Sequence, residues 1–312
     1  MLMSKREGLQ RGKGLQGLFV LTVVLFLVLF TSGCDMDRAE ATRQLNQGMA
    51  AMSGGDTSAA VAHMEAALQA DPGFAEAAYY LGQVYHMRTR DLEQALRYYR
   101  RAYDLDPENP RYSYRLATVL ALSEDHEEAV RYFERAIDSA PDYARAYFSK
   151  GRSLEADQKF SEALQAYMRA IEINPRLRMT ADDPGGEHYH ALGDLYLRFR
   201  LFDHAARVYE NGFANNLNSP RLSLGLGTAL LGLGRASEAA QAFRQTLEID
   251  PRNGPANFNL VVALRDAGDL DGAIAHGENL LETGAGLNEG RARALQLMLD
   301  DLREEKDDEE DS

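Results

Sequence analysis

The sequence predicts an all-α fold of stacked helix pairs, and three observations predict it. The first is a recurring phrase: a small residue, an aromatic or methionine four on, a small residue three later, and a proline five after that. It reads Ala60, Met64, Ala67, Pro72, returns as Ala95, Tyr99, Ala102, Pro107, again as Ala129, Phe133, Ala136, Pro141, and a fourth time as Ala163, Tyr167, Ala170, Pro175. Weaker copies follow at Ala205, Tyr209, Gly212 and at Ala239, Phe243, Thr246, Pro251, with a degenerate one around Ala273, Gly277 and Leu280. The second observation is a signature upstream of each phrase, such as Leu81-Gly82 with Tyr85, Gly151 with Leu154, and Leu192-Gly193 with Tyr196. The third is the period. Repeat starts near 41, 75, 110, 144, 186, 220 and 254 are separated by steps of 34, 35, 34, 42, 34 and 34 residues.

Taken in order, the first element is an address. Lys5, Arg6, Arg11 and Lys13 stand against one acid, Glu7, and Leu18 to Phe30 then run without a charge to Thr31-Ser32-Gly33-Cys34. A basic segment, a short apolar core and small residues make a secretory signal over residues 1–33. The end of that run resembles the lipobox of bacterial lipoproteins, with Thr31 where leucine is usual, which implies lipidation of Cys34 and a membrane anchor. Each buried CH₂ contributes about 0.8 kcal/mol, so several acyl chains hold where one does not. The alternative is an uncleaved transmembrane helix, since Gly14 to Gly33 carries no charge and about twenty apolar residues span a bilayer. Either reading places the remainder outside the cytoplasm, facing the periplasm of a bacterial envelope, on the inner or the outer membrane.

Residues 34–40 then read as a tether and 41–287 as the repeat array. Within each repeat, glycine and alanine mark places where helices approach closely, and aromatics fill the space between neighbouring helices. Proline ends the second helix because it offers no N–H and restricts the residue before it. Asp71, Asp106 and Asp250, each just before a proline, are candidate caps for the helix that follows. One repeat cannot bury its own apolar face, so neighbours must stack. Residues 176–186 supply most of the excess in the 42-residue step and read as a loop insertion. Ala292, Leu295, Leu299 and Leu302 have helical spacing within 288–303 and suit a helix capping the last repeat. Residues 304–312, almost wholly acidic, read as a disordered tail that could itself enter a cationic groove.

Taken together, the two signatures resemble the tetratricopeptide repeat, W-x₂-L-G-x₂-Y, then A-x₃-F, then proline. There is no tryptophan in the chain, and residues such as Tyr147 and Tyr189 hold its place. The resemblance implies a right-handed α-solenoid of about seven repeats, the first helix of each lining a concave groove that docks a partner. It also names the groove residues: Tyr79, Gln83, His86 and Met87; Arg111, Tyr114 and Thr118; Arg145, Phe148, Arg152 and Glu155; His190, Asp194 and Arg198. Tyr, Arg, Phe and Met are enriched at interface hot spots. Each aromatic has the equal alternative of packing between repeats. Arg111, Arg145, Arg152 and Arg198 could form a basic stripe for an acidic or C-terminal carboxylate peptide. The chaperone-tail clamp of some family members is not matched, because Leu45 and Met49 stand at its first two places.

Composition narrows the function further. The 312 residues carry 34 Lys+Arg against 48 Asp+Glu, a net charge of −14, which repels nucleic acid. Removal of residues 1–33 leaves 30 basic against 47 acidic residues, a net charge of −17. Cys34 is the only cysteine, so neither an internal disulfide nor a cysteine-based zinc site is available. No cofactor is expected. The one polar cluster, Glu187, His188, His190 and Asp194, would need three or four convergent ligands to hold a metal, and Gly225 to Gly234 lacks the spacing and the preceding strand of a phosphate loop. The sequence therefore reads as a protein-interaction scaffold that binds other envelope proteins or peptides. The alternatives are a self-associating structural component, pairing through the degenerate seventh repeat or its Phe258 face, and a metal-dependent enzyme.

Overall fold

The computed structural model describes residues 36–179, 185–215, 217 and 219–310. The secretory signal at 1–33 and Cys34 lie outside the described residues, as do the middle of the 176–186 insertion and the last two residues. The described chain is all-α, and its helices pack in sequential pairs. It forms two compact units, one ending at Ser139 and the other starting at Ala140. In the first unit, α1 (36–53) pairs with α2 (Thr57–Ala70), α3 (Ala75–Val84) with α4 (Leu92–Leu105), and α5 (Pro110–Leu122) with α6 (His126–Ser139). In the second, α7 (Ala144–Ala156) pairs with α8 (Phe160–Ile173), α9 (Glu187–Arg198) with α10 (Phe202–Ala214), α11 (Pro220–Gly232) with α12 (Ala236–Ile249), and α13 (Gly254–Asp266) with α14 (Leu270–Thr283). The last helix, α15 (Glu289–Glu310), follows. The first helix of each pair is called helix A below, the second helix B.

The recurring phrase is the core. Ala60, Ala95, Ala129, Ala163, Ala205, Ala239 and Ala273 are all fully buried, and so are Tyr99, Tyr167, Tyr209, Phe243 and Met64 four residues beyond their alanines. The glycine of each upstream signature lies against that aromatic ring. A methyl group added at Gly82 would stand 2.8 Å from Tyr99, at Gly151 2.5 Å from Tyr167, and at Gly227 2.6 Å from Phe243. Contacts that short leave no room for any other residue, so glycine and ring form one matched device repeated along the chain.

Helix A ends in the same way in every pair. One residue takes the left-handed conformation, and the next N–H turns back to a carbonyl of the last helical turn. Glycine fills that position at Gly55, Gly234 and Gly268, but Arg90, Glu124, Gln158 and Arg200 hold it elsewhere, with φ between 57° and 64°. The returning bond spans five residues in six pairs, as from Asp125 to Leu120 at 3.0 Å. In α3 it spans six, from Asp91 to Tyr85 at 3.0 Å. The extra residue is absorbed in a π-helical turn at Tyr85–Thr89, which accounts for the 35-residue step.

Three expectations need correction. Asp71, Asp106 and Asp250 do not cap the next helix. Asp71 accepts from the Gly73 N–H at 2.9 Å, while Asp106 and Asp250 accept from the side-chain amides of Asn109 and Asn253. The asparagines and Ser219 are the caps, accepting from N–H groups of α5, α13 and α11, because they stand directly at the helix start and the aspartates stand three residues too early. The tether expected at 34–40 is helical from residue 36, because Arg38 pairs with Asp71 at 3.0 Å and lies 4.4 Å over the Phe74 ring. The tail expected to be disordered from 304 continues α15 to Glu310. Arg303 reaches Glu278 and Lys306 reaches Asp271, both at 2.7 Å, so α15 lies along α14.

That last helix covers the end of the array. Leu295, Leu299 and Leu302 are buried in one cluster with Leu260, Leu264 and Leu280, and Phe258 packs against the same cluster. Phe258, a candidate for pairing between copies, is thus partly covered within the chain. No helix among the described residues is long and apolar enough to cross a membrane.

Candidate functional site

In the first unit the helix A residues separate into two groups. Tyr79 and Tyr114, expected to line a groove, are 4% and 7% exposed. Tyr79 packs between Tyr99 and Tyr112, with ring centroids at 5.8 and 5.2 Å, and Tyr114 lies 5.7 Å from Phe133. Both are core residues rather than a free surface, because their rings are needed to fill the space beside the helix B aromatics. Gln83 turns its amide to the Met87 sulfur at 3.4 Å. Arg111 stays exposed and lays its guanidinium 4.9 Å over the Tyr79 ring, and a hydrogen bond to the Tyr79 hydroxyl raises its pKa.

His86 lies in the π-helical turn, half-buried, its ring edge-on to Tyr99 at 6.2 Å. Burial and then the Arg115 charge lower its pKa, so it is held neutral. Arg115 is the residue that sequence reasoning missed. It stands one helical turn beyond Arg111 on α5, half-buried, 5.8 Å over Tyr114 and hydrogen-bonded to Tyr79. Its signal was available, since residues four apart share a helix face.

In the second unit Phe148 is 3% exposed and stacks at 5.6 Å on Tyr167, so it too is core. Arg145 and Arg152 are exposed. Arg145 donates through Nε to the Arg178 carbonyl at 3.0 Å, holding the start of the insertion against α7. Together with Asp142, Asn174, Arg176 and Arg178 it rims a cavity of about 610 Å³. Arg198 is engaged: it lies 4.8 Å over Phe160 and 4.0 Å from Glu155. His190 pairs with Asp194 at 3.3 Å. The expected stripe is therefore divided. Its arginines at 145 and 152 form no ion pair among the described residues, while Arg198 is partly neutralised by its own chain.

Two tyrosines of helix B are bonded to carboxylates of their own helix A. The Tyr167 hydroxyl donates to Glu155 at 2.8 Å and the Tyr209 hydroxyl to Asp194 at 2.7 Å. Burial first, reinforced by those carboxylates, raises both phenol pKa values far above the usual range, so each remains a neutral donor.

The polar cluster on α9 does not converge. His188 is fully buried and its Nε2–H donates to the Pro175 carbonyl at 3.1 Å, a proton assignment that follows because a carbonyl only accepts. Glu187 turns to Arg221 at 2.9 Å. Among the described residues no group of three His, Cys, Asp or Glu side chains could hold a metal ion.

These features define a helical-repeat protein. The chain belongs to the tetratricopeptide repeat family, members of which are typically non-enzymatic scaffolds. One tetratricopeptide-repeat profile matches residues 45–110, 84–143, 114–177 and 190–254, and a second matches 230–299. No curated protein matches the chain in sequence. Among solved structures it is similar to PilF of Pseudomonas aeruginosa, at 20% identity and a TM-score of 0.56, covering 70% of this chain and 94% of that one. It is similar to PilW, a widely conserved type IV pilus biogenesis factor, at 18% identity and a TM-score of 0.55, covering 69% and 96%. It is also similar to YrrB, a tetratricopeptide-repeat protein with an unusual peptide-binding site, at 17% identity and a TM-score of 0.54, covering 64% and 97%. At these identities the likeness is one of fold.

Proposed function

We propose that this chain is a lipid-anchored scaffold of the bacterial cell envelope, held at a membrane through Cys34, that docks peptide or helical segments of other envelope proteins on its helix A faces. The observation that carries the docking half is Arg145 and Arg152, in the first and third turns of α7, exposed and in no ion pair among the described residues of an acidic chain. Guanidinium groups with no ion-pair partner suit carboxylates, which they hold in bidentate geometry. The anchoring half rests on the basic segment, apolar run and lone cysteine of residues 1–34. Structural neighbours that serve pilus biogenesis or bind peptides agree with an assembly role.

Intact-mass measurement of protein extracted from membranes, with affinity capture after crosslinking, tests both halves. A triacylated chain beginning at Cys34 is the expected mass, and an unprocessed chain overturns the lipid anchor. Envelope proteins captured by wild type and lost from an Arg145→Glu/Arg152→Glu variant are the expected clients. Capture of the same proteins by both overturns the docking surface.

A further inference from the structure

A cavity of about 240 Å³ in the first unit is built from helix B elements alone, lined by Tyr103 of α4 and by Glu128, Arg131, Tyr132 and Arg135 of α6. The four residues of α6 follow the i, i+3, i+4, i+7 spacing that gathers side chains on one helix face. Arg100 and Tyr103, three apart on α4, share a face in the same way. The two faces are joined twice. Arg100 reaches Glu128 at 2.9 Å, and the Tyr103 ring stands edge-on to Tyr132 with centroids 5.1 Å apart. Those contacts tie α4 to α6 without closing the cavity between them.

What lines this cavity is mostly donor. Glu128 is its one carboxylate and is taken by Arg100. Arg131 and Arg135 are exposed and in no ion pair among the described residues, and the buried Nε of Arg100 has no hydrogen-bond partner. Tyr103 and Tyr132 are half-buried. Burial raises the Tyr132 pKa, with the Arg100 charge opposing it, so the phenol stays a neutral donor. Asp104, whose charge also reaches Tyr132, does not line the cavity. Two guanidinium groups therefore stand uncompensated beside two phenols, in a chain of net charge −14. Two fixed positive charges match a dianion, and two N–H forks with two O–H groups can serve more oxygens than the two of a carboxylate. A phosphate monoester brings both, a charge approaching −2 at neutral pH and three acceptor oxygens. We infer that the recess between α4 and α6 binds a small phosphate monoester, its oxygens held by Arg131 and Arg135 and its organic part set against the rings of Tyr103 and Tyr132. The site goes beyond the docking surface proposed above, since neither Arg145 nor Arg152 takes part in it. Its walls belong to consecutive helix pairs, so an occupant clamps α4 to α6.

The test uses the full chain in mild detergent at about pH 8 with three probes of similar size: phenyl phosphate, methyl phenyl phosphate and benzoate. At that pH the first carries close to two negative charges and the others one each. Calorimetric titration should show phenyl phosphate binding at least about tenfold more tightly than either of the others. Arg131→Gln and Arg135→Gln should each weaken it about tenfold, the usual worth of a hydrogen bond to a charged group. Both side chains are exposed, and an unchanged thermal midpoint without ligand verifies that the variants fold. Saturating phenyl phosphate should also slow hydrogen exchange of the α4 and α6 amides in wild type. Methyl phenyl phosphate binding as tightly would mean that a diester, as in a lipid headgroup, is the occupant, and overturns the monoester site. Equal affinity for benzoate, equal affinity of wild type and both arginine variants, or no binding of phenyl phosphate overturns it as well. The Arg145→Glu/Arg152→Glu variant should bind phenyl phosphate as wild type does. Loss of binding there would assign the anion to the α7 face and overturn the site, whereas the clients of that variant are judged by capture alone.

Discussion

A single hydroxyl distinguishes residues that otherwise occupy one place. Tyr167 and Tyr209 donate to carboxylates, so Tyr167→Phe or Tyr209→Phe should destabilise by about 1–2 kcal/mol. Tyr99→Phe loses no bond, because that hydroxyl is buried without a hydrogen-bond partner, and should leave stability unchanged or raise it. Urea denaturation of the three variants checks the contrast. His276 offers a second residue-scale test. Burial, then the Arg244 charge from α12, lowers its pKa from the usual 6.5, opposed in part by a hydrogen bond to the Asn257 backbone on α13. As pH falls below 6.5 the unfolded chain takes up this proton before the folded one does, so stability is lost on acidification. A His276→Gln variant should show a shallower fall in thermal midpoint between pH 7 and 5 than wild type. At this scale the sequence was least legible. Tyr79, Tyr114 and Phe148 recur at the spacing of a groove, but an aromatic at that spacing serves equally to wedge one helix against the next, and burial decides for the wedge. Arg115 was passed over because the pattern drew attention to Arg111, although both lie on one face of α5.

Among elements, the helix A terminus has the same geometry in all seven pairs but not the same residue. Arg90, Glu124, Gln158 and Arg200 hold a left-handed conformation that costs an L-residue about 1–2 kcal/mol, whereas Gly55, Gly234 and Gly268 hold it freely. Gln158→Gly should therefore stabilise by about 0.5–1 kcal/mol once the added freedom of the unfolded chain is subtracted. Hydrogen exchange of the α7–α8 amides should slow correspondingly. Helix existence and pairing were legible because glycine, alanine and aromatic recur at fixed spacing, and each of those residue types has one geometric job. The π-helical turn left a trace as well, in the single 35-residue step, but a step length does not reveal which helix absorbs the additional residue. Helix α1 and the end of α15 overran their expected bounds because ion pairs made across space, Arg38 to Asp71 and Lys306 to Asp271, hold segments that composition alone marks as solvated.

For the molecule as a whole, the repeats set the problem that α15 solves. Within the second unit each helix pair packs on the next, and beyond the α13–α14 pair stands only the single helix α15. Leu295, Leu299 and Leu302 provide the missing cover, all at most 1% exposed. Leu299, which meets Gly277 closely, is the most sensitive point. Leu299→Ala should cost about 2–5 kcal/mol and should raise hydrogen exchange through α13, α14 and α15 before it reaches α7 and α8, since repeat proteins transmit stability mainly between neighbours.

The cover also bears on how such a chain meets a copy of itself. A stack of like units is an unfinished polymer, ready to add another copy to its last exposed layer, and an end that stays adhesive leads to filaments. Here the terminal layer is sealed by a helix whose outward side is crowded with Glu304, Glu305 and Asp307, a surface that repels its own image. A further copy arriving at that end would meet a row of carboxylates in place of the leucine-lined face that α15 already covers.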